Sequence, residues 1–263
     1  MLKKLLKYEL LFFSKGLIVF YIITFILALL TRLFFAIEST TFLYVMAQIF
    51  SGAHISLMIN VLINTLMRIW VRFRQNFHGD ESYLTHSLPV EKGTLYLAKT
   101  ISALISMMFS VIFLILCAFI AYYTPENMQL LIDTLFTVET VLNVPIGGLI
   151  ALIFAVFALE CINLTLAGFL GMVWGHRRQN YKIGFSVLWG ALVYVALQIC
   201  MVVAILIVGA FNDNVMQLFI GNQLVSASAI MGVMITATVV YTLTAVVVYL
   251  LGDKAFKKGV NVD

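Results

Sequence analysis

Apolar residues run in six long blocks, about 17–37, 43–71, 95–123, 147–175, 183–210 and 225–251, separated by short polar stretches. Each meets or exceeds the roughly 20 helical residues that cross a hydrocarbon core about 30 Å thick. Several are longer, which implies tilt or extension past the bilayer rather than extra spans. Period-two alternation is absent, which argues against an outer-membrane barrel. Lipid offers no partner to free backbone groups, so the blocks are expected to be helices. The first block is too long for a signal-peptide core and no small-x-small cleavage site follows it, so it is expected to be retained.

Composition agrees. Of 263 residues, 63% are hydrophobic and 11% charged, against about 25% charged in ordinary soluble domains. So few charges cannot coat a water-soluble globule, which excludes a soluble enzyme, and the apolar content excludes a disordered chain. The expectation is an all-α membrane protein, a single transmembrane domain over 1–263. Cys117, Cys161 and Cys200 all lie inside apolar blocks and read as small core-like residues.

The distribution of charge sets the expected orientation. Fifteen of the sixteen basic residues fall in the N-terminus, the connection between the second and third blocks, that between the fourth and fifth, and the tail. Arg32 alone falls on the other side, where Glu38, Glu126, Asp133, Glu139 and Asp213 lie. Basic residues favour the cytoplasmic side, so six spans with both termini in the cytoplasm are expected. Residues 1–16, MLKKLLKYELLFFSKG, carry Lys3, Lys4 and Lys7 on one face and Leu2, Leu5, Leu6, Phe12 and Phe13 on the apolar side. That pattern predicts an amphipathic helix in the plane of the inner leaflet, although a purely topogenic role also explains the lysines. On the outer side, 124–146 is expected to form a short surface helix. Residues 211–228 are expected to form a small re-entrant or interfacial hairpin capped by Asn212, Asp213 and Asn214.

The most informative polar stretch is FHGDESYLTHSLPVEKGTLYLAKT, from Phe77 to Thr100. Ser82, Tyr83, Leu84, Thr85, His86, Ser87 and Leu88 have helical character, with Asp80 and Glu81 placed for the positive end of the helix dipole. Pro89 ends the helix, and Val90 to Gly93 turn the chain back towards the membrane. Aromatic and apolar side chains offered to the cytosol suit a docking surface; the alternative is a helix resting on lipid headgroups.

The run from Asp80 to Val90, followed by Lys92 and Lys99, resembles the cytoplasmic segment of ABC-2-type permeases, the membrane subunits of ATP-binding cassette exporters. The six spans, inside termini, basic N-terminal helix and elaborated last outer loop also resemble that family. The resemblance implies a coupling helix over 77–92. Asp80, Glu81, Ser82, Tyr83, Leu84, Thr85, His86, Leu88, Pro89 and Val90 would then contact a separate ATPase subunit. It further implies a bacterial cytoplasmic-membrane location, a second permease of the same or a related chain, and ATP and Mg held by the ATPase rather than by this chain. It leaves the cargo open among peptide, lipid and drug, and implies no nucleic-acid partner.

Gly93 to Thr100 nearly spells the phosphate loop G-x-x-x-x-G-K-[ST]. Ala98 replaces its second glycine, no strand precedes it, and the segment opens an apolar block. ATP hydrolysis is therefore expected on another polypeptide. Zinc-protease spacing among His54, His78, His86 and His176, an intramembrane aspartate pair and the G-x-S-x-G elbow are all missing.

Glu160 is the one acidic residue deep in an apolar block, roughly 22 Å from the cytoplasmic end at 1.5 Å per residue. A charge there is costly, so it is expected to be protonated, paired or facing a wet cavity. Asn163 lies one turn on, and His54 and Ser56 have similar depth and are candidate partners. Ser56, Asn60, Asn64 and Arg68 recur at steps of four. They read either as a polar lining of a subunit interface or substrate path, or as interhelical hydrogen-bond glue. Alternatives to the exporter subunit are a proton-coupled secondary transporter using Glu160 and a non-transporting immunity or sensor subunit.

Overall fold

The computed structural model describes residues 2–37, 40–79, 81–87, 89–178, 180–220 and 226–258. In chain order the helices are α1 Leu2–Ala36, α2 Thr41–His78, α3 Ser82–His86, α4 Lys92–Tyr122, α5 Pro125–Leu142, α6 Ile146–Gly175, α7 Lys182–Phe211, α8 Asp213–Ile220 and α9 Ala227–Lys257. Among the described residues there is no strand. Six of the helices, α1, α2, α4, α6, α7 and α9, are long and apolar enough to cross a membrane.

The three prolines mark the breaks. Pro89 lies between α3 and α4, Pro125 is the first residue of α5, and Pro145 precedes α6. At such positions the missing N–H breaks no helical bond. Asn143 leaves α5 with φ of 50°, a left-handed end that asparagine tolerates. Ser226 caps α9 by accepting a bond from the amide of Ala229.

The helix expected in the membrane plane over 1–16 is not a separate element. It forms the first turns of α1, which runs unbroken for 35 residues. No proline interrupts it, and Gly16, its one weak position, lies under the guanidinium of Arg68. The surface helix expected within 124–146 appears as α5, and Asn212 caps α8 through its side-chain oxygen, 3.1 Å from the amide of Asn214. Residues 221–225 of the expected hairpin lie outside the described residues. All three cysteines are free.

The chain clusters into two compact units, Met1–Phe73 with Thr94–Leu131, and Arg74–Gly93 with Ile132–Asp263. In the first unit, α1, α2 and α4 are joined by hydroxyls: Tyr21 bonds Ser110 at 2.7 Å, and Ser110 bonds Thr65 at 3.0 Å. Ala28, Cys117 and Ala121 form a small-residue contact beside them. At one end, the carboxylate of Glu9 on α1 pairs with Lys99 on α4 at 2.6 Å and lies 3.7 Å from Arg72 on α2. At the other end Arg32 donates to the carbonyl of Tyr123 at 2.6 Å, satisfying the C-terminus of α4.

In the second unit α6 packs on both α7 and α9, with α8 against α7 and α9. Gly171 and Gly175 on α6 meet Ser186 and Gly190 on α7 so closely that no Cβ fits at Gly171 or Gly175. Small residues at this spacing let two helix backbones touch, as membrane helices often require. Tyr181 enters α7 at φ of 54°, a strained value for a bulky residue.

Candidate functional site

The polar connection after α2 is built on a helix longer than any membrane needs. With 38 residues, α2 is about 57 Å long. Its last turn carries Phe77 and His78, both buried within the second unit. The ring of Phe77 lies 4.5 Å from that of Phe256 near the end of α9. His78 stacks on His176, which follows α6, with ring centroids 4.1 Å apart. Nδ1 of His176 is 3.0 Å from both the carbonyl of Met172 and the hydroxyl of Ser186. Arg177 donates to the carbonyl of Ala255 at 2.8 Å. The base of the connection is thus locked to the ends of α6 and α9 and the start of α7.

On that base sits α3. Ser82 is fully buried, whereas Tyr83 and Leu84 are 67% and 73% exposed. The helix turns on the bonds from the amide of Thr85 to the carbonyl of Glu81 and from that of Ser87 to the carbonyl of Tyr83. Asn76 on α2 donates to the Glu81 carboxylate and ties the start of α3 to the helix before it. Thr85 and Ser87 spend their hydroxyls on backbone carbonyls within this segment, at 3.0 Å each. What the element presents outward is an aromatic and a large aliphatic side chain on a five-residue helix. Pro89 is exposed and Val90 half-buried, while Asp80 and Leu88 lie outside the described residues.

Burial holds the His176 imidazole below its usual 6.5, with Arg74 and Lys182 adding to the depression, against an opposing hydrogen bond to Met172. As pH falls the unfolded chain therefore takes up this proton first. The stability contributed is full above about pH 6.5 and is lost as pH drops below it. Thermal unfolding in detergent should shift down between about pH 7.5 and 5.5, and His176→Asn should flatten that slope.

Deep in α6, Glu160 finds partners other than those expected. The hydroxyl of Tyr194 donates to its Oε1 at 2.6 Å and the amide of Gln198 at 2.8 Å, both from α7. Tyr241 on α9 donates in turn to Gln198 at 3.4 Å. The second oxygen, Oε2, is buried with no hydrogen-bond partner among the described residues. His54 and Ser56 belong to the first unit, where His54 is buried beside Tyr122 and Ser56 bonds the carbonyl of Gly52.

Asn163 turns towards α9 rather than joining Glu160. It donates to the carbonyl of Tyr241 at 2.9 Å and accepts from Thr244 at 3.0 Å, so it acts as glue between helices. Asn64 donates to the side chain of Asn60 at 2.6 Å, and both bonds it makes stay on α2. Lys99, the lysine of the near-phosphate-loop string, sits in a helix and pairs with Glu9.

Sequence reading missed the anchors Phe77, His78, His176 and Phe256, for which the sequence carries no spacing signal. It also missed the α6–α7 contact, although Gly171-x-x-x-Gly175 stands in the sequence as a helix-packing motif. Six spanning-length apolar helices define a multi-pass membrane protein. In comparisons with known proteins, the chain matches no family model, no curated protein and no solved structure.

Proposed function

We propose that this chain is the permease subunit of an ATP-driven export system of the ABC-2 type, with both termini in the cytoplasm of a bacterial cell. The observation that carries the reading is the pair Tyr83 and Leu84, exposed on a short helix whose base is buried and bonded. Large apolar side chains on a firmly held helix suit a partner surface, because little entropy is lost when they dock. The ATPase subunit, with its ATP and Mg, closes on α3. The push passes through Phe77 and His78 to the ends of α9 and α6. Coupling requires the ATPase to bind two arrangements of the spans with different affinity. A second permease, identical or related, completes the pathway for an amphipathic peptide, lipid or drug.

The test is affinity purification from native membranes in mild detergent. Recovery of an ATPase in near-equal amount supports the reading, and a solitary chain, or an oligomer lacking an ATPase, overturns it.

A second reading rests on Glu160, whose Oε2 is buried without a partner among the described residues. As a proton-coupled transporter the chain would work without an ATPase. In reconstituted vesicles Glu160→Gln would then abolish pH-driven uptake and Leu84→Asp would leave it unchanged.

A further inference from the structure

From Thr41 to Met67, α2 carries no Asp, Glu, Lys or Arg. That uncharged stretch is about 40 Å of helix, and a hydrocarbon core about 30 Å thick takes roughly 20 of its residues. Wherever the core falls within the stretch, Gly52, Ser56 and Asn60 lie inside it. All three are exposed. At about 100° per residue each step of four turns only about 40°, so the three share one outward face, with exposed Ile49 and Ile63 between them.

This face is built for another helix rather than for lipid or water. No atom of the chain lies within 4 Å of the place a Cβ would take at Gly52, so packing within the chain does not require the glycine, and glycine weakens a helix. Gly52 and Ser56, four apart, let a second backbone come close, along the ridge on which membrane helices of this kind cross. Asn60 accepts from Asn64 at 2.6 Å, while its own Nδ2 has no partner among the described residues. Hydrocarbon offers that donor nothing. A water-filled path is equally unsuited to Ile49 and Ile63, which flank the polar groups.

We propose that α2 packs through this face against α2 of a second copy of this chain. Copies inserted in one orientation are related by a two-fold axis along the membrane normal, so each residue meets the partner helix at its own depth. Self-pairing then requires a face without charge whose polar groups both donate and accept, and an amide does both. Nδ2 of one Asn60 donates to Oδ1 of the other, which has a second lone pair beside the bond from Asn64. A single asparagine in an apolar seam fixes register and partner at some cost in stability. The pairing makes the second permease of the reading above an identical chain, and it rests on that reading for what the pair does, not for its formation.

The test needs no ATPase, so a missing ATPase partner, which would sink the permease reading, leaves this result standing. Full-length Ser56→Cys protein is oxidised with copper phenanthroline in native membranes and run without reductant. A disulfide-linked dimer of this chain is expected. The unsubstituted protein, whose exposed cysteine is Cys200 on α7, and Ile112→Cys, exposed on α4, should stay monomeric on the gel. Adding Gly52→Leu should abolish the cross-link while melting and helix content stay as before, because a side chain there meets nothing in its own chain. Asn60→Leu should raise the dimer dissociation constant in mild detergent roughly sevenfold, the loss expected for two symmetric interhelical bonds. A Ser56→Cys protein that stays monomeric, or that cross-links to a different polypeptide, would overturn the proposal. So would equal cross-linking of Ile112→Cys, or dimers unaffected by Gly52→Leu or by Asn60→Leu.

Discussion

Gly171→Ala is expected to lower the melting temperature of the detergent-purified protein sharply, while Gly190→Ala on the facing helix leaves it nearly unchanged. A Cβ at Gly171 would press on the backbone nitrogen and Cα of Gly190 and come within 2.8 Å of the Ser186 carbonyl. Backbone cannot rotate aside as a side chain does, so α7 must move away from α6. Overpacking of this kind costs about 1–3 kcal/mol, with loss of neighbouring contacts in addition. A Cβ at Gly190 would instead sit 3.6 Å from the carbonyl of Ala167, an ordinary contact. Gly184, also on α7, has nothing within 4 Å of the place a Cβ would take and serves as control. There alanine should be neutral or slightly stabilising, since glycine costs about 1 kcal/mol in a helix. Equal effects at 171 and 190 would show that the two helices do not meet through Gly171. Because α6 and α7 also present Glu160 to Tyr194 and Gln198, Gly171→Leu should separate those groups and prevent stable assembly altogether.

Under the proposed permease reading, Leu84→Asp should have the opposite signature: normal melting, and loss of the ATPase stimulation which that reading requires. Leu84 is 73% exposed, and an exposed substitution away from caps and cores changes stability by about 0.5 kcal/mol or less. At a docked interface the same change buries a charge where an apolar anchor stood. Truncating such an anchor costs about 2 kcal/mol or more, enough to weaken binding roughly thirtyfold. The measurement is ATP hydrolysis by the purified complex, with Tyr83→Asp as a parallel variant and Leu130→Asp as an exposed control on α5. Retained stimulation in both Leu84→Asp and Tyr83→Asp would remove α3 from the ATPase interface. Phe77→Ala separates contact from transmission. Phe77 is fully buried against Phe256, so on the proposed reading its loss should uncouple hydrolysis from the spans while the outward face of α3 remains intact.

The two signatures show how unevenly function and stability were legible from sequence. Leu84 and Tyr83 could be singled out because apolar residues in a polar connection are conspicuous. Their anchors could not: Phe77, His78, His176 and Phe256 come from three separate stretches, and nothing in the local pattern of any one names the others. Glu160 was conspicuous for the same reason as Leu84, being out of keeping with its surroundings. Its partners were misjudged because depth along a span says nothing of rotation about the helix axis or of which helices are neighbours. Tyr194 and Gln198 lie four apart on α7 and so share a face, but only packing shows that this face meets α6.

By itself, the sequence determined that the chain is helical and crosses a membrane several times, and roughly where each span begins and ends. Hydrophobic length, proline position and the cost of unpaired backbone in lipid are local or additive quantities, and they can be summed along a chain. The tertiary structure alone decided that α1 runs unbroken through residues 2–36, that Asn163 bonds α9 while Glu160 bonds α7, and that glycines bring α6 and α7 into contact. It also decided that the exposed pair on α3 stands on buried aromatic rings. Each of these depends on which faces of distant helices meet. In a chain this uniformly apolar every face is greasy enough to be buried, so hydrophobicity cannot choose among them; steric fit and a few hydrogen bonds do.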